Sequence, residues 1–469
     1  MNYNLNETEM QLSLSNSCNF VMIPSFLNGF QNTKTITGTT SSGRTVFNMR
    51  GNLDIIEEDR ICPNCGFYMH INLNKETTLR HLCFGSNLSC VSFSQSQLYC
   101  ENCNISKMQS IPFKANNHRI TKELHQYVID LLTIGSYTNK QIAEITGLGK
   151  NTIKDIDLER LKKKYTINNQ LIQPEKQARY LGIDEFKLHN GYQYATHIID
   201  LETGHILWIE KGKDKQIVFD FIKHVGFEWM KNVKAVACDM NAGFYNAFKE
   251  KCPHIKVVFD YFHVMKNFNE HVVDKIYRDE KLRLISEKKY KEAKSLGTSK
   301  FILYSSRETL KKKDELGKKN KLYQKESKIF KMEEIRRKTG YEERYNELIK
   351  ENELLLVVDI IKEKLKTLYT LTSKEEMKKE IKEIINICET NGNEHLLWLK
   401  RFLLFRIDGI ISHAEYNISS GKIEGINNKI KTIRRQHYGL PDDEYFFLKI
   451  IDMSRTSYIR NIKSHRICD

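Results

Sequence analysis

The sequence predicts a multidomain α+β chain, and three observations carry that expectation. Paired cysteines cluster early, a stretch with helical period follows, and strand-like runs then give way to a long charged segment of helical pattern. At 469 residues the chain is too long for one ordinary core, so two to four domains are expected. The expected plan is a poorly structured lead-in (1–54), a cysteine-bearing module (55–112) and a trihelical unit (118–168). The first part of an α/β core with a mixed sheet follows (176–270), then an all-helical insertion (271–410) and the C-terminal helices of the core (411–469).

Lys and Arg number 74 against 59 Asp and Glu, a net charge of +15. That excess favours a polyanionic partner and says nothing about fold. No apolar run reaches membrane-span length; the longest, Leu354 to Ile361, is broken by Asp359. The N-terminus has no basic start followed by an apolar core, so no secretory signal is expected. Eleven cysteines without a signal point to a reduced, cytoplasmic compartment, where paired cysteines bind metal more often than they form disulfides.

Residues 1–50 are rich in Asn, Ser and Thr, with one strand expected near Thr45–Met49. Six cysteines fall between 55 and 110. Cys62-Pro-Asn-Cys65 and Cys100-Glu-Asn-Cys103 form two knuckles, and two such turns complete a tetrahedral site for one structural Zn²⁺. His81, Cys83 and Cys90 lie between them, either as substitute ligands or as core positions. A redox role for the pairs is the weaker reading.

Residues 120–165 read as three helices. Leu124, Val128, Leu131 and Leu132 form an apolar stripe, residues 139–145 a short second helix ended by Gly147, and Lys150 opens a third. That order fits a helix-turn-helix whose third element enters the major groove, with Lys150, Asn151, Thr152 and Lys154 as reading residues. An ordinary trihelical packing unit is the alternative.

Strand periods follow. Residues 179–187, 192–200 and 205–211 suggest an antiparallel meander, then a helix near 214–225, a buried-type strand 233–238, a helix 241–251 and a strand 256–259. This is the ribonuclease-H-like order, in which the first and fourth strands lie side by side and bring Asp184 and Asp239 together. Residues 264–410 are Lys/Glu-rich, without proline, and read as helices with solvated faces. Glu424 then shares a helix face with Asn427, Asn428, Lys431 and Arg435, amides and cations that fit a metal ligand beside bound phosphates, so these residues and Arg434 are DNA-binding candidates; Gly439 and Pro441 end the element.

Two strand-end aspartates and one helical glutamate are the pieces of a two-metal phosphoryl-transfer site. Hard ions, Mg²⁺ or Mn²⁺, prefer carboxylate oxygen, and two of them hold the attacking and leaving oxygens of a phosphodiester. The expected roles are Asp184 bridging both ions, Asp239 on one and Glu424 on the other. Each has a structural alternative. Glu185 rather than Asp184 could be the inward residue, since neighbours on a strand face opposite sides, so Glu185 is also an accessory candidate; Asp239 could cap a helix, and Glu424 could pair with Lys431 or Lys422. Asp260 and His263 are accessory candidates, as a fourth acid or a supporting network.

The stretches YLGIDEF, YATHIIDLETGHIL, ACDMNAGFYNAF, VVFDYFHVMKNFN and SGKIEGINNKIKTIRRQHYG, with the upstream CPNCG and CENC knuckles, resemble the ISL-three family of bacterial insertion-sequence transposases. The resemblance covers nearly all of the chain beyond residue 50. It implies a DDE-type recombinase that binds terminal inverted repeats in double-stranded DNA, cleaves at the element's ends and joins 3′ ends to target DNA. It maps the triad onto Asp184, Asp239 and Glu424 and puts the Asp260–His263 segment in the core pattern. It further implies a homodimer on synapsis and a bacterial, nucleoid-associated location. The alternatives are a domesticated or inactive DNA-binding relative and a nuclease of the same fold without strand transfer.

Overall fold

The computed structural model describes residues 8–10, 27–191, 193–297, 299–319, 338–350, 352–436 and 441–455. The chain divides into two compact units, one of residues 1–172 with 431–469, the other of residues 173–430.

The first unit opens with a sheet of β1 (Thr8–Met10), β2 (Phe30–Thr39), β3 (Thr45–Leu53), β4 (His70–Phe84), β5 (Asn87–Cys100) and β6 (Ile105–Met108). Its order is β1-β2-β3-β5-β4, with β6 paired to β5. The expected poorly structured lead-in is therefore corrected for residues 30–53, which form a hairpin whose second strand runs parallel to β5. Half of β2 is exposed, so its polar side chains hide the strand period there, and ladder pairing rather than burial holds that half. Three helices follow, α1 (Lys122–Ile134), α2 (Asn139–Thr146) and α3 (Lys150–Tyr165). Thr121 caps α1, a Thr138–Gln141 capping box starts α2, and left-handed Gly135 and Gly147 end them. An added Cβ at Gly147 would lie 2.6 Å from Arg80 and 2.7 Å from Leu88, both on the sheet. Sheet and helices thus form one compact unit. A small hairpin, β7 (Thr166–Ile167) and β8 (Gln170–Leu171), leaves it.

The second unit holds β9 (Tyr180–Lys187), β10 (Tyr194–Asp200), β11 (Ile206–Lys211), α4 (Lys215–Val225), α5 (Phe227–Met230), β12 (Ala235–Cys238), α6 (Ala242–Lys251) and β13 (Lys256–Phe259). The sheet order is β11-β10-β9-β12-β13. The first three strands are antiparallel, while β9, β12 and β13 run parallel. The first and fourth strands of the meander are neighbours, and every residue of β12 is buried, as a central parallel strand requires.

Helices follow as α7 (Tyr261–Phe268), a π-helical turn (Asn269–Val273), α8 (Asp274–Ser286), α9 (Tyr290–Gly297), α10 (Lys300–Tyr304), α11 (Arg307–Lys319), α12 (Tyr341–Lys350), α13 (Glu353–Leu368), α14 (Lys374–Asn391) and α15 (Glu394–Ile411). Their apolar faces share one core with the sheet: Val236, Phe248 and Phe268 belong to the same cluster as Ile361, Ile381 and Leu399. Asp359, which breaks the longest apolar run, is buried against the Arg307 guanidinium and Tyr345.

Two helices close the described chain, α16 (Gly421–Gln436) and α17 (Asp443–Arg455). The assignment of residues 411–469 as a whole to the α/β core is corrected for α17, which belongs to the first unit and packs on α3. The reason is polar. Asp157 of α3 is fully buried and accepts hydrogen bonds from Arg160, Tyr445 and Lys449, while Asp452 accepts from Arg160, Lys164 and Tyr165. Asp442 accepts the Tyr445 N–H at the start of α17, and Gly439 lies outside the described residues.

Candidate functional site

Strand register builds the acidic site. Ile183 pairs with Cys238, and Cys238 with Phe259, so Asp184, Asp239 and Asp260 each stand one residue beyond on three adjacent parallel strands. Asp184 accepts the Glu185 N–H at 2.8 Å and the Asn427 side-chain amide at 2.7 Å. Burial holds Asp184 above the ordinary carboxylate range, and the charge of Asp239 pushes the same way. The Glu185 N–H, the His263 charge and the Asn427 amide oppose both.

Burial would also raise Asp239, but His263, whose Nδ1 lies 3.0 Å from its Oδ1, outweighs that and holds Asp239 below its usual range. In the same way burial would lower His263, and the Asp239 pair leaves it raised. The two form a histidine–carboxylate pair. Asp260 does not join it directly: its Oδ2 accepts the Ser420 N–H at 2.8 Å and the Ser420 hydroxyl, just before α16. Glu185 is raised by burial and by the neighbouring aspartates, with Lys213 opposing, and alternation along β9 turns it to the other side from Asp184. Asn241, not Asp239, caps α6 by accepting the Gly243 N–H at 2.8 Å.

Helix α16 brings Glu424 to this region. Gly182 admits it, since a Cβ there would lie 2.7 Å from Ile423. Glu424 is exposed and sits three residues before Asn427, on a neighbouring part of the same face. Asp184, Asp239 and Glu424 do not bring one oxygen each within 4.8 Å of the other two. The structure thus joins Asp184, Asp239, His263 and Asn427, with Glu424 one turn away. As a donor set, the paired aspartates and the glutamate fit hard divalent ions.

Several neighbours escape sequence reasoning. Asn427, a DNA-contact candidate by sequence, donates its amide to Asp184. His197, opposite Asp184 on β10, is buried and pushed down to about 4, so it stands neutral. Lys266 of α7 and Arg406 of α15 both act electrostatically on Asp239. Only the α7 spacing from His263 to Lys266 hinted at any of this.

The four knuckle cysteines converge in the first unit. One sulfur each from Cys62, Cys65, Cys100 and Cys103 lies within 4.8 Å of the others, and the Cys65 and Cys100 sulfurs are 3.5 Å apart. Hydrogen bonds from Asn102 and the Phe67 N–H draw Cys65 down to about 6, while Cys65 and burial push Cys103 up to about 12. Four thiols this close cannot all ionise unaided, and the set fits a tetrahedral Zn²⁺. The rival ligands are placed elsewhere. His81 is buried with Nδ1 2.9 Å from the Thr121 hydroxyl, and burial raises Cys83 and Cys90.

On α3, Lys150 and Asn151 are exposed and Thr152 is half-buried. Lys154 is already paired with Asp442 at 2.7 Å. On α16, Asn428, Lys431 and Arg435 are exposed, whereas the Arg434 guanidinium lies over the buried Phe446 ring at 5.0 Å. Among the described residues no helix is long and apolar enough to cross a membrane.

A mixed α/β chain with a four-cysteine cluster and aligned strand-end aspartates has the make-up of a DNA-processing enzyme. The ISL-three transposase family model matches residues 181–450, and the chain belongs to that family. It is 26% identical over 355 residues, 76% of this chain and 78% of the relative, to the transposase for insertion sequence element IS1001 of Bordetella parapertussis. It is 29% identical over 87 residues, 19% of this chain and 20% of the relative, to the transposase for insertion sequence element IS1557 of Mycobacterium tuberculosis.

Proposed function

We propose that the chain binds the terminal inverted repeats of an insertion sequence, cleaves DNA at those ends and joins the 3′-hydroxyls to a target. The five-stranded sheet would then be a ribonuclease-H-like core, with the helices up to α15 inserted before α16. The observation that carries the reading is the pair Asp184–Asp239 on adjacent parallel strands, buttressed by Asn427 from the helix of Glu424.

Asp184, Asp239 and Glu424 would hold two Mg²⁺ or Mn²⁺ ions, which supply charge stabilisation for the attacking and leaving oxygens when bound. The residues of the chain do the rest. His263 keeps Asp239 ionised and fixed, and Asn427 orients Asp184. Asp260 anchors Ser420 and so the start of α16. Water is the first nucleophile and the freed 3′-hydroxyl the second.

The cysteine cluster, with one Zn²⁺, stiffens the sheet beside the trihelical unit. Lys150, Asn151 and Thr152 are the base-reading candidates. Lys431 and Arg435 are the phosphate candidates, and the net charge of +15 supports a polyanionic partner. Synapsis of two ends calls for a homodimer, and the setting is the bacterial nucleoid.

Labelled terminal-repeat DNA, a target plasmid and Mg²⁺ test the reading. Joined products are expected, and Asp184→Asn should abolish them. Cut ends without joining would indicate a nuclease, and undiminished cleavage by Asp184→Asn would overturn the assignment. Binding should weaken steeply with salt as counterions are released.

A further inference from the structure

Phe405 on α15 is 73% exposed, the highest value for a large apolar side chain among the described residues. It ends a run of planar groups. The His271 ring stacks on Trp398 at 4.4 Å, and Trp398 on Phe402 at 5.0 Å. The Arg406 guanidinium then lies 4.6 Å from the Phe402 centroid and 5.4 Å from that of Phe405. Phe402 is 4% exposed while His271 and Phe405 are both exposed, so the run crosses the core and reaches solvent at Phe405.

Packing sets this run near the acidic site. Gly409, one turn beyond Phe405 and Arg406, lies against Phe259, where a Cβ would come within 2.5 Å of the ring. Phe259 directly precedes Asp260 and pairs with Cys238, which precedes Asp239. A second exposed ring lies on α7, next to the histidine that pairs with Asp239. Phe262 is 55% exposed and meets the His263 ring edge-on at 5.5 Å, and His263 pairs with Asp239. Each ring has a cation close in sequence, Lys266 one turn after Phe262 and Arg406 beside Phe405.

Exposed aromatics flanked by cations are the two components of a single-strand binding surface, the rings for bases and the cations for phosphates. Paired bases are stacked on one another and do not offer their faces. Unpaired bases do, and an arginine beside the ring adds a cation–π contribution. We propose that Phe405 and Phe262 stack unpaired bases of a DNA strand beside the Asp184–Asp239 pair, with Arg406 and Lys266 facing its phosphates. This rests on the DNA-processing reading above and adds strand separation at the site.

Full-length protein would be titrated with two probes of one sequence, a blunt duplex and a duplex with a short unpaired stretch containing 2-aminopurine. The wild type is expected to prefer the second probe and quench its fluorescence. Phe405→Ala and Phe262→Ala should each weaken that binding by about 5- to 150-fold and leave the blunt duplex unchanged. Phe405→Trp should retain it. Both rings are exposed, so neither alanine is expected to disturb folding, and the unchanged duplex binding checks this. Alanine variants that bind and quench as the wild type does would overturn the proposal. Duplex binding without preference or quenching would overturn it alone, whereas binding to neither probe would overturn the DNA reading as well.

Discussion

Asn427 donates its side-chain amide to Asp184 across 2.7 Å, from 243 positions further along the chain. The bond joins the helix of Glu424 to the strand of the first aspartate. It forms because Gly182, two residues before Asp184 on the same side of β9, leaves room for Ile423. The glycine, the amide and the carboxylate therefore act together to seat α16.

Replacing Asn427 with Ala removes a donor that opposes the raising of Asp184 by burial. The acid limb of the cleavage-rate profile should therefore move to higher pH. An unshifted profile would show that Asp184 does not control that limb.

The Asp239–His263 pair has a defined pH window. Asp239 lies below 3.8 in the folded state, so its contribution is present above 3.8 and lost as pH falls through the depressed value. His263 lies above 6.5, so its contribution is present below 6.5 and lost as pH rises through the elevated value. The loss of Tm in His263→Gln should therefore be largest between those limits and shrink at higher pH. A difference that does not vary with pH would refute the ion pair.

Zinc removal should act on one unit alone. All three tryptophans, Trp208, Trp229 and Trp398, lie in the second unit. Chelation, or Cys103→Ser, should open residues 55–112 to proteolysis while tryptophan fluorescence stays constant. Metal ligation of this kind supplies on the order of 10 kcal/mol of folding energy. Wild-type resistance to proteolysis in the presence of chelator would refute the site.

Asp157 is buried among Arg160, Tyr445 and Lys449. Asp157→Ala leaves buried cations without their anion, a loss of about 3–5 kcal/mol. The first unit should unfold earlier in urea and lose DNA binding, again without a change in tryptophan signal. Unchanged urea resistance would mean that α17 is held by its apolar face instead.

Gly182→Ala would press a methyl group on Ile423. The strain should cost about 1–3 kcal/mol and reduce cleavage by displacing α16. Adding Ile423→Val should restore part of both, and failure of that rescue would separate stability from the position of Glu424.

Much of this was legible in the sequence. The knuckles were readable because two thiols on one turn have few other uses. The strands and the meander are legible from strand period and turn residues, while the adjacency of β9 and β12 comes only from matching their order to the ribonuclease-H-like topology. β3 is legible as the strand expected near Thr45–Met49, whereas its partner β2 is not, because its exposed polar half shows little hydrophobic alternation. The seat of α17 was hidden for another reason: its attachment rests on Asp157, Asp452 and their donors, and charges far apart in sequence give no period. Arg406 was missed because only the packing of Gly409 on Phe259 reveals where α15 runs.

The attachment of α17 also bears on how the protein is made. Tyr445 follows Asp157 by 288 residues, so at ribosomal rates of about 5–20 residues per second the buried carboxylate waits on the order of 15–60 s for that partner. During that interval α3 is complete but lacks the helix that neutralises its inner face. A polypeptide released early would carry α3 in this unsupported state. Translation through α17 is thus a condition for assembling the first unit.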